Sequence, residues 1–208
     1  MAYKMRDILF KDFITLKRGY DLPTNKRTPG VIPIVSSSGI TGNHNDVKVQ
    51  GPGVITGRSG LIGEVFYIKQ DFWPLNTTLY VKDFNNNKPE YVYYFLKTLD
   101  LNNYQSGSSV PTLNRNHLDN IKIKIHDSND QVNIISILSR IDIKIELNKK
   151  IIANLEELSQ TLFKRWFVDF EFPSDKDISY KSGEGQFIDS LPIGWIKQER
   201  IAFFYQHR

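Results

Sequence analysis

Along the C-terminal third, apolar residues recur at Ile134, Leu138, Ile141, Ile145, Ile152, Leu155, Leu162 and Trp166. The steps are four, three, four, seven, three, seven and four residues, and Asn148 and Ser159 fill the two skipped places. This heptad pattern predicts one long helix over residues 131–170 with a seam for a second helix. Ile135, Ile151, Leu158 and Phe163 widen the stripe, so more than one surface is expected to be buried. Neither Gly nor Pro interrupts the segment. Ile141 to Leu147 also alternates as a strand would. That alternation lasts seven residues while the heptad lasts over thirty, so the helix is the preferred reading. At ~1.5 Å per residue it is roughly 55 Å long. A helix of that length cannot lie against a domain of this size throughout, so much of it must project and find another helix.

Residues 1 to about 130 have a different texture, with short apolar runs broken by Gly, Asn, Ser, Thr and Pro. Gly53–Thr56, Gly63–Ile68, Thr78–Val81 and Ile121–Ile125 read as strands, the last with strict alternation. Pro89 opens a helix through Tyr91–Lys97, and Asn116–Asp119 reads as a short helical turn. The fold class expected is α+β: a mixed α/β domain with many loops over 1–130, then a long coiled-coil-like helix over 131–170. Residues 171–208 read as a polar linker and the cut-off start of a second copy of the first domain. Lys197–Phe204 loosely echoes Lys4–Phe10.

Composition narrows the classes. The chain has 208 residues, 40% hydrophobic and 12% aromatic, which is globular and not disordered. Its net charge of +4 permits a polyanionic partner without demanding one. Cysteine is absent, which excludes disulfides and cysteine-held metals. The charged start leads into no apolar signal region, and no apolar run approaches the ~20 residues of a membrane span. A soluble, cytoplasmic protein is expected.

Enzyme signatures fail in turn. Five glycines lie between Gly51 and Gly63, but their spacing fits neither a dinucleotide fingerprint nor a phosphate loop. They read as turns and bulges in a twisted sheet. His44, His117, His126 and His207 form no metal-ligand spacing, so surface or hydrogen-bonded roles are expected. No nucleophile elbow is present. Asp142–Lys144 resembles part of a nuclease carboxylate–lysine pair, but it lies in the expected helix, where it reads as a solvated face. No cofactor and no metal are expected.

A binding inventory remains. Ser36–Asn45 is a run of short hydrogen-bonding side chains, and so is Gln105–Ser109 leading to Thr112–Asn116. Asn, Gln, Ser and Arg read base edges and hold phosphates. The residues expected on DNA are Ser37, Ser38, Thr41, Asn43, His44, Asn45, Ser59, Asn76, Thr77, Ser108, Ser109 and Asn114. Lys17, Arg18, Lys26, Arg27, Arg58 and Arg115 would supply the backbone charge.

Several segments in order resemble a known family, the specificity subunits of Type I restriction-modification enzymes. Gly53–Gly60 with Ile62–Val65 is similar to the family's strand–loop–strand signature. Phe72–Val81 is the most specific match, and Gly107–Asn114 resembles the segment closing a target-recognition domain. Asp130-Gln131 followed by Ile134-Ile135 stands where the family usually has Glu-Gln and an Ile pair, so Asp130 is a departure. Asn154–Leu158 with Leu162-Phe163 looks like the end of the family's spacer helix. The resemblance implies a non-catalytic protein that reads half of a split double-stranded DNA site. Its helices would dock DNA methyltransferase (modification) subunits, and a restriction subunit would add translocation and cleavage.

A full specificity subunit has two recognition domains and two spacers, and this chain has one of each. A half-length subunit is therefore expected, self-associating through the stripe from Ile134 to Trp166 to read a palindromic, interrupted site. A truncated remnant of an inactivated or phase-varying gene fits the sequence equally. Two rivals stay open: a coiled-coil interaction module with a non-DNA ligand-binding head, and a metal-dependent nuclease.

Overall fold

The structure is a computed structural model. It describes residues 4–106 and 111–169, with the backbone pairing of 187–188 and 191–192. The chain forms two units, Met1–Ser139 and Arg140–Arg208.

In the first unit, β1 (Met5–Leu9) runs into the single turn α1 (Phe10–Phe13) and then β2 (Thr15–Arg18). The hairpin β3 (Ile32–Ser36) and β4 (Gly39–His44) follows, then β5 (Gly53–Gly57), β6 (Val65–Ile68), β7 (Trp73–Pro74) and β8 (Thr78–Asp83). Next come α2 (Pro89–Thr98), the ribbon β9 (Gln105–Ser106) and β10 (Thr112–Leu113), α3 (Arg115–Asp119) and β11 (Lys122–His126). The long helix α4 spans Ser128–Phe163. A further ribbon, β12 (Phe187–Ile188) with β13 (Leu191–Pro192), lies in the second unit. This is the expected α+β architecture: strands that pair mostly antiparallel, with helices gathered on one face and the long helix after them.

Two sheets organise the first unit. One has the order β2-β8-β5-β6 and the other β4-β3-β7, where only the β3–β7 pair is parallel. Side chains alternate across a strand, so β5, β6 and β8 of the larger sheet each feed two cores. Leu16, Val54, Val65, Leu79 and Val81 leave one face and meet Phe10, Phe13, Tyr91, Val92, Leu96 and Leu118 from the helices. Ile55, Ile68 and Tyr80 leave the other and meet Val35 from the smaller sheet and Phe72 just before β7. Pairing β1 antiparallel with β11, in the register Met5↔His126 to Leu9↔Lys122, ties the two ends of the unit together.

Pro89 occupies the first turn of α2, where its missing N–H costs nothing. The backbone before it reverses through Asn85 and Asn86, both at positive φ (45° and 64°), a conformation asparagine tolerates. Buried amides then lock this reversal to the start of α4. Gln131 Nε2 donates to Asn87 Oδ1 (2.8 Å) and to the His126 carbonyl (3.1 Å), and Gln131 Oε1 accepts from the Lys88 N–H (3.0 Å). Asn87 Nδ2 donates to the Phe13 and Phe84 carbonyls.

The long helix replaces the competing strand reading, because Ile141–Leu147 lies inside α4. It starts three residues before the heptad suggested, since Asp127 Oδ1 accepts from the Asp130 N–H (3.0 Å) and caps the first turn. Its α-helical pattern ends at Phe163 and passes into a wider π-helical turn at Lys164–Val168. The strand read over Gly63–Ile68 is shorter, beginning at Val65, because Gly63 turns the chain at φ +87°. Ser36–Asn45, read as a polar loop, is instead largely the strand β4 and its turn. Its partner β3 supplies the apolar residues, so β4 pairs without an alternation of its own. Most of residues 171–208, with the echo of the N-terminus, lie outside the described residues.

Replacing Gln131 with Leu keeps the volume but strands the Lys88 N–H and the Asn87 side-chain oxygen Oδ1. We expect it to cost about 2 kcal/mol or more of stability, measured by urea denaturation of the whole chain. The exposed control Asn133→Leu should change stability little.

Candidate functional site

The polar residues singled out above fall into two groups, and the β3–β4 hairpin separates them. Ser36 pairs with Gly39 at its turn end and Ile32 pairs with His44 at its open end. Four steps of ~3.3 Å from Ile32 to Ser36 put these ends roughly 13 Å apart.

At the turn end, Ser37 and Ser38 form the β3–β4 reversal beside the β5–β6 loop, which carries Arg58 and Ser59. A β-carbon added to Gly57 would lie 1.8 Å from the Leu61 carbonyl oxygen and 3.3 Å from Ser37 Cβ, so only glycine allows this loop so close. Backbone bonds fix the rest. The Thr77 carbonyl accepts from the N–H groups of Arg58 (2.8 Å) and Ser59 (3.1 Å), while the Arg58 carbonyl accepts from Leu113 (2.8 Å). Ser59 also bridges to Thr112, which brings the β9–β10 ribbon alongside. Asn114 caps α3 through its side-chain oxygen, which accepts from the Asn116 N–H (3.0 Å). Arg115 reaches the Leu16 carbonyl at 3.4 Å. Asn76 donates through Nδ2 to the Asp21 carboxylate, which also faces Arg18 at 3.9 Å. Ser37, Ser38, Arg58, Ser59, Asn76, Thr77, Asn114 and Arg115 are thus linked through adjoining turns. Ser108 and Ser109 lie outside the described residues.

At the open end, Thr28 Oγ1 donates to Asn45 Oδ1 (2.6 Å) and Arg27 Nε to the Leu22 carbonyl (3.4 Å). Lys26 is exposed nearby in sequence. Asn43 is an exposed β4 residue, and Thr41 is the extra residue of a bulge where the register shifts between Ile34 and Val35. His44, grouped above with the contacting side chains, is buried. It is 3% exposed, packs edge-on against Trp73 (5.1 Å between ring centres) and accepts the Thr28 N–H at Nδ1 (3.1 Å). An aromatic ring at the end of an edge strand is worth more buried than wet.

Sequence reasoning missed a third feature, an aromatic cluster with two lysines. The hydroxyls of Tyr20 and Tyr80 are 3.0 Å apart and their rings are stacked. Lys17 donates to the Tyr20 hydroxyl (3.4 Å) and lies 5.4 Å from its ring centre. Lys48 lies 5.3 Å from the same ring and 4.9 Å from that of Trp73. The Tyr80 hydrogen bond, helped by the lysine charges, lowers the Tyr20 pKa below the ordinary tyrosine value. Burial, and then Tyr20 itself, raises that of Tyr80. Of these residues the sequence singles out only Lys17; Tyr20, Lys48, Trp73 and Tyr80 lie far apart along the chain, so no local motif could have announced the cluster.

On α4, Ile141, Ile145, Ile152 and Leu155 are all about half exposed or more. Ile143, Leu147 and Ile151 form a second exposed line at steps of four. Ile134, the first residue of the heptad stripe, instead packs with Ile135 against the core of the first unit. Leu138, Leu162 and Trp166 are half-buried. Among the described residues no group of His, Asp and Glu is placed to hold a metal ion. No helix there is long and apolar enough to cross a membrane.

A family model described as "Type I restriction modification DNA specificity domain" matches residues 5–157. Among curated proteins, the Type I restriction enzyme MjaIX specificity subunit of Methanocaldococcus jannaschii is 33% identical over 110 residues, which cover 51% of this chain and 25% of that protein. The Type I restriction enzyme HindI specificity subunit of Haemophilus influenzae is 32% identical over 89 residues, covering 40% and 19%. Among solved structures, the S subunit of a Type-I restriction-modification system from M. genitalium superposes with a TM-score of 0.69 at 18% identity, over 81% of this chain and 47% of that one. The HsdS subunit from Thermoanaerobacter tengcongensis gives 0.53 at 13% identity, over 78% and 44%. At these identities the two structures speak for the fold. The matched region spans about a quarter or less of the curated relatives and just under half of the solved chains.

His44→Ala should lower stability by about 2 kcal/mol or more, because it empties the space against Trp73 and frees the Thr28 N–H. Ser38→Ala on the exposed turn should stay within about 0.5 kcal/mol of the parent. Thermal melting of both variants checks the contrast.

Proposed function

We propose, from the premise that this chain belongs to the Type I restriction modification DNA specificity domain family, that its first unit reads one half of a split duplex-DNA site and that α4 carries its protein contacts. The observation that carries this reading is the gathering of Ser37, Ser38, Arg58, Ser59, Asn76 and Arg115 on adjoining turns. Short polar and guanidinium side chains on rigid turns can enter the major groove and meet base edges. The open-end group of Lys26, Arg27 and Asn45 lies about one major-groove width (~12 Å) from the turn end, while Thr41 and Asn43 lie between the two ends along β4. Lys26, Arg27 and Asn45 therefore serve the flanking phosphates, and Thr41 and Asn43 line the approach between them.

In this reading the chain is not catalytic and carries no cofactor. A partner modification subunit methylates adenine, and a restriction subunit cleaves. The chain acts in the cytoplasm, where the DNA is. The exposed apolar lines of α4 support self-association: two copies joined through Ile141, Ile145, Ile152 and Leu155 present two identical recognition domains to a palindromic, interrupted site. A helix of roughly 55 Å is long enough to separate half-sites by about one DNA turn, ~34 Å. The second line at Ile143, Leu147 and Ile151 is then left for the modification subunit.

Co-expression with a cognate modification subunit, followed by mapping of methylated adenines, tests the assignment. Methylation at a palindromic, interrupted site is expected. Absence of any salt-sensitive binding to duplex DNA would reject it in favour of a coiled-coil module with a non-DNA ligand. On the recognised site, Arg58→Ala and Arg115→Ala should each weaken binding by about 1–3 kcal/mol. Unchanged affinity removes that residue from the interface. The double variant Ile145→Asp/Ile152→Asp should convert a self-associated chain to a monomer by analytical ultracentrifugation, leaving the first unit's melting unchanged.

A further inference from the structure

We propose that Lys17 and Lys48, both set against the ring of Tyr20, grip one phosphate of the duplex backbone between them. This rests on the reading of the first unit as a duplex-DNA reader; it joins Lys17, already expected on the backbone, to Lys48, which the sequence did not single out. Two ammonium groups from distant parts of the chain converge on one tyrosine, at 5.4 and 5.3 Å from its ring centre. Among the described residues neither has a carboxylate partner. The neighbouring carboxylate, Asp21, is taken by Arg18 and Asn76. Bringing like charges together costs free energy, and ring faces only partly offset it. An anion seated between the lysines removes the repulsion.

The fold builds this place instead of leaving it to flexible side chains. Tyr20 is held by its backbone N–H to the Pro74 carbonyl (2.8 Å) and by a parallel bridge to Leu75. Lys48 is held by its backbone N–H to the Phe72 carbonyl (3.3 Å), which sets it over Trp73. Trp73 is 8% exposed and Tyr80 5%, so the platform under the two lysines is rigid. Continuity with the turn-end group is direct, since Leu75 leads into Asn76 and Thr77. The occupant is then a phosphate of the same duplex whose bases face that group.

The test compares the parent chain with Lys17→Met, Lys48→Met, the double variant and Lys48→Arg, binding a mixed-sequence duplex across a potassium chloride series. Melting temperatures verify that all are folded. One shared phosphate predicts that the double variant lowers the slope of log affinity against log salt by about 0.9. Either single variant should keep most of that slope, because the remaining lysine still neutralises the phosphate, and Lys48→Arg should retain it. A double-variant loss of about 1.8 would mean two separate phosphates and overturn the shared site. An unchanged slope in a chain that still binds duplex overturns the inference and leaves the DNA reading standing. No duplex binding by the parent sinks both. Inorganic phosphate supplied at constant ionic strength should not displace the duplex. Displacement would mark a free-anion site and reject the proposal.

Discussion

Side chains leave β8 in alternate directions, and the whole first unit follows from that. Leu79 and Val81 enter the core beneath the helices, while Tyr80 between them enters the core shared with the smaller sheet. A sheet covered on both faces leaves only its ends for solvent. Its turns, held in place by β5 and β8, become the places where polar side chains can be fixed without a core of their own. The backbone bonds from Arg58 and Ser59 to Thr77, and from Leu113 to Arg58, convert those turns into one surface. A rigid surface loses less entropy on binding than one that orders only on contact.

The hairpin β3–β4 adds a spacing. β4 is an edge strand whose residues Ile40 to Asn43 are exposed, and the bulge at Thr41 bends it. Polar residues and a bulge blunt an edge against unwanted pairing, and they also suit a surface that meets a polyanion. The aromatic cluster of Tyr20, Trp73 and Tyr80 sits where the two sheets come together, and His44 closes its far side against Trp73.

α4 poses the opposite case. Large apolar residues stand half exposed along it on more than one line. Each such side chain is worth roughly 1.5–3 kcal/mol when fully buried, so the helix has strong reason to acquire a partner. Its N-terminal turn is anchored in the first unit through Gln131, Ile134 and Ile135.

The sequence alone determined the features with a strong local period or a strong local breaker. The heptad from Leu138 onward specified α4 because a helix repeats within a few residues. Pro89 marked the start of α2, and the apolar runs of β5, β8 and β11 marked buried strands. Tertiary structure decided the rest. β4 has no apolar alternation, and its strand exists because β3 offers it a hydrogen-bonding edge. His44 looks like a polar loop residue until Trp73 and Thr28 surround it. Lys17, Tyr20, Lys48, Trp73 and Tyr80 share no spacing, and only the pairing of β2 with β8 and the path of the chain past Phe72 bring them together. Local periodicity is written in consecutive residues, whereas the meeting of distant side chains depends on which strands pair and in what register.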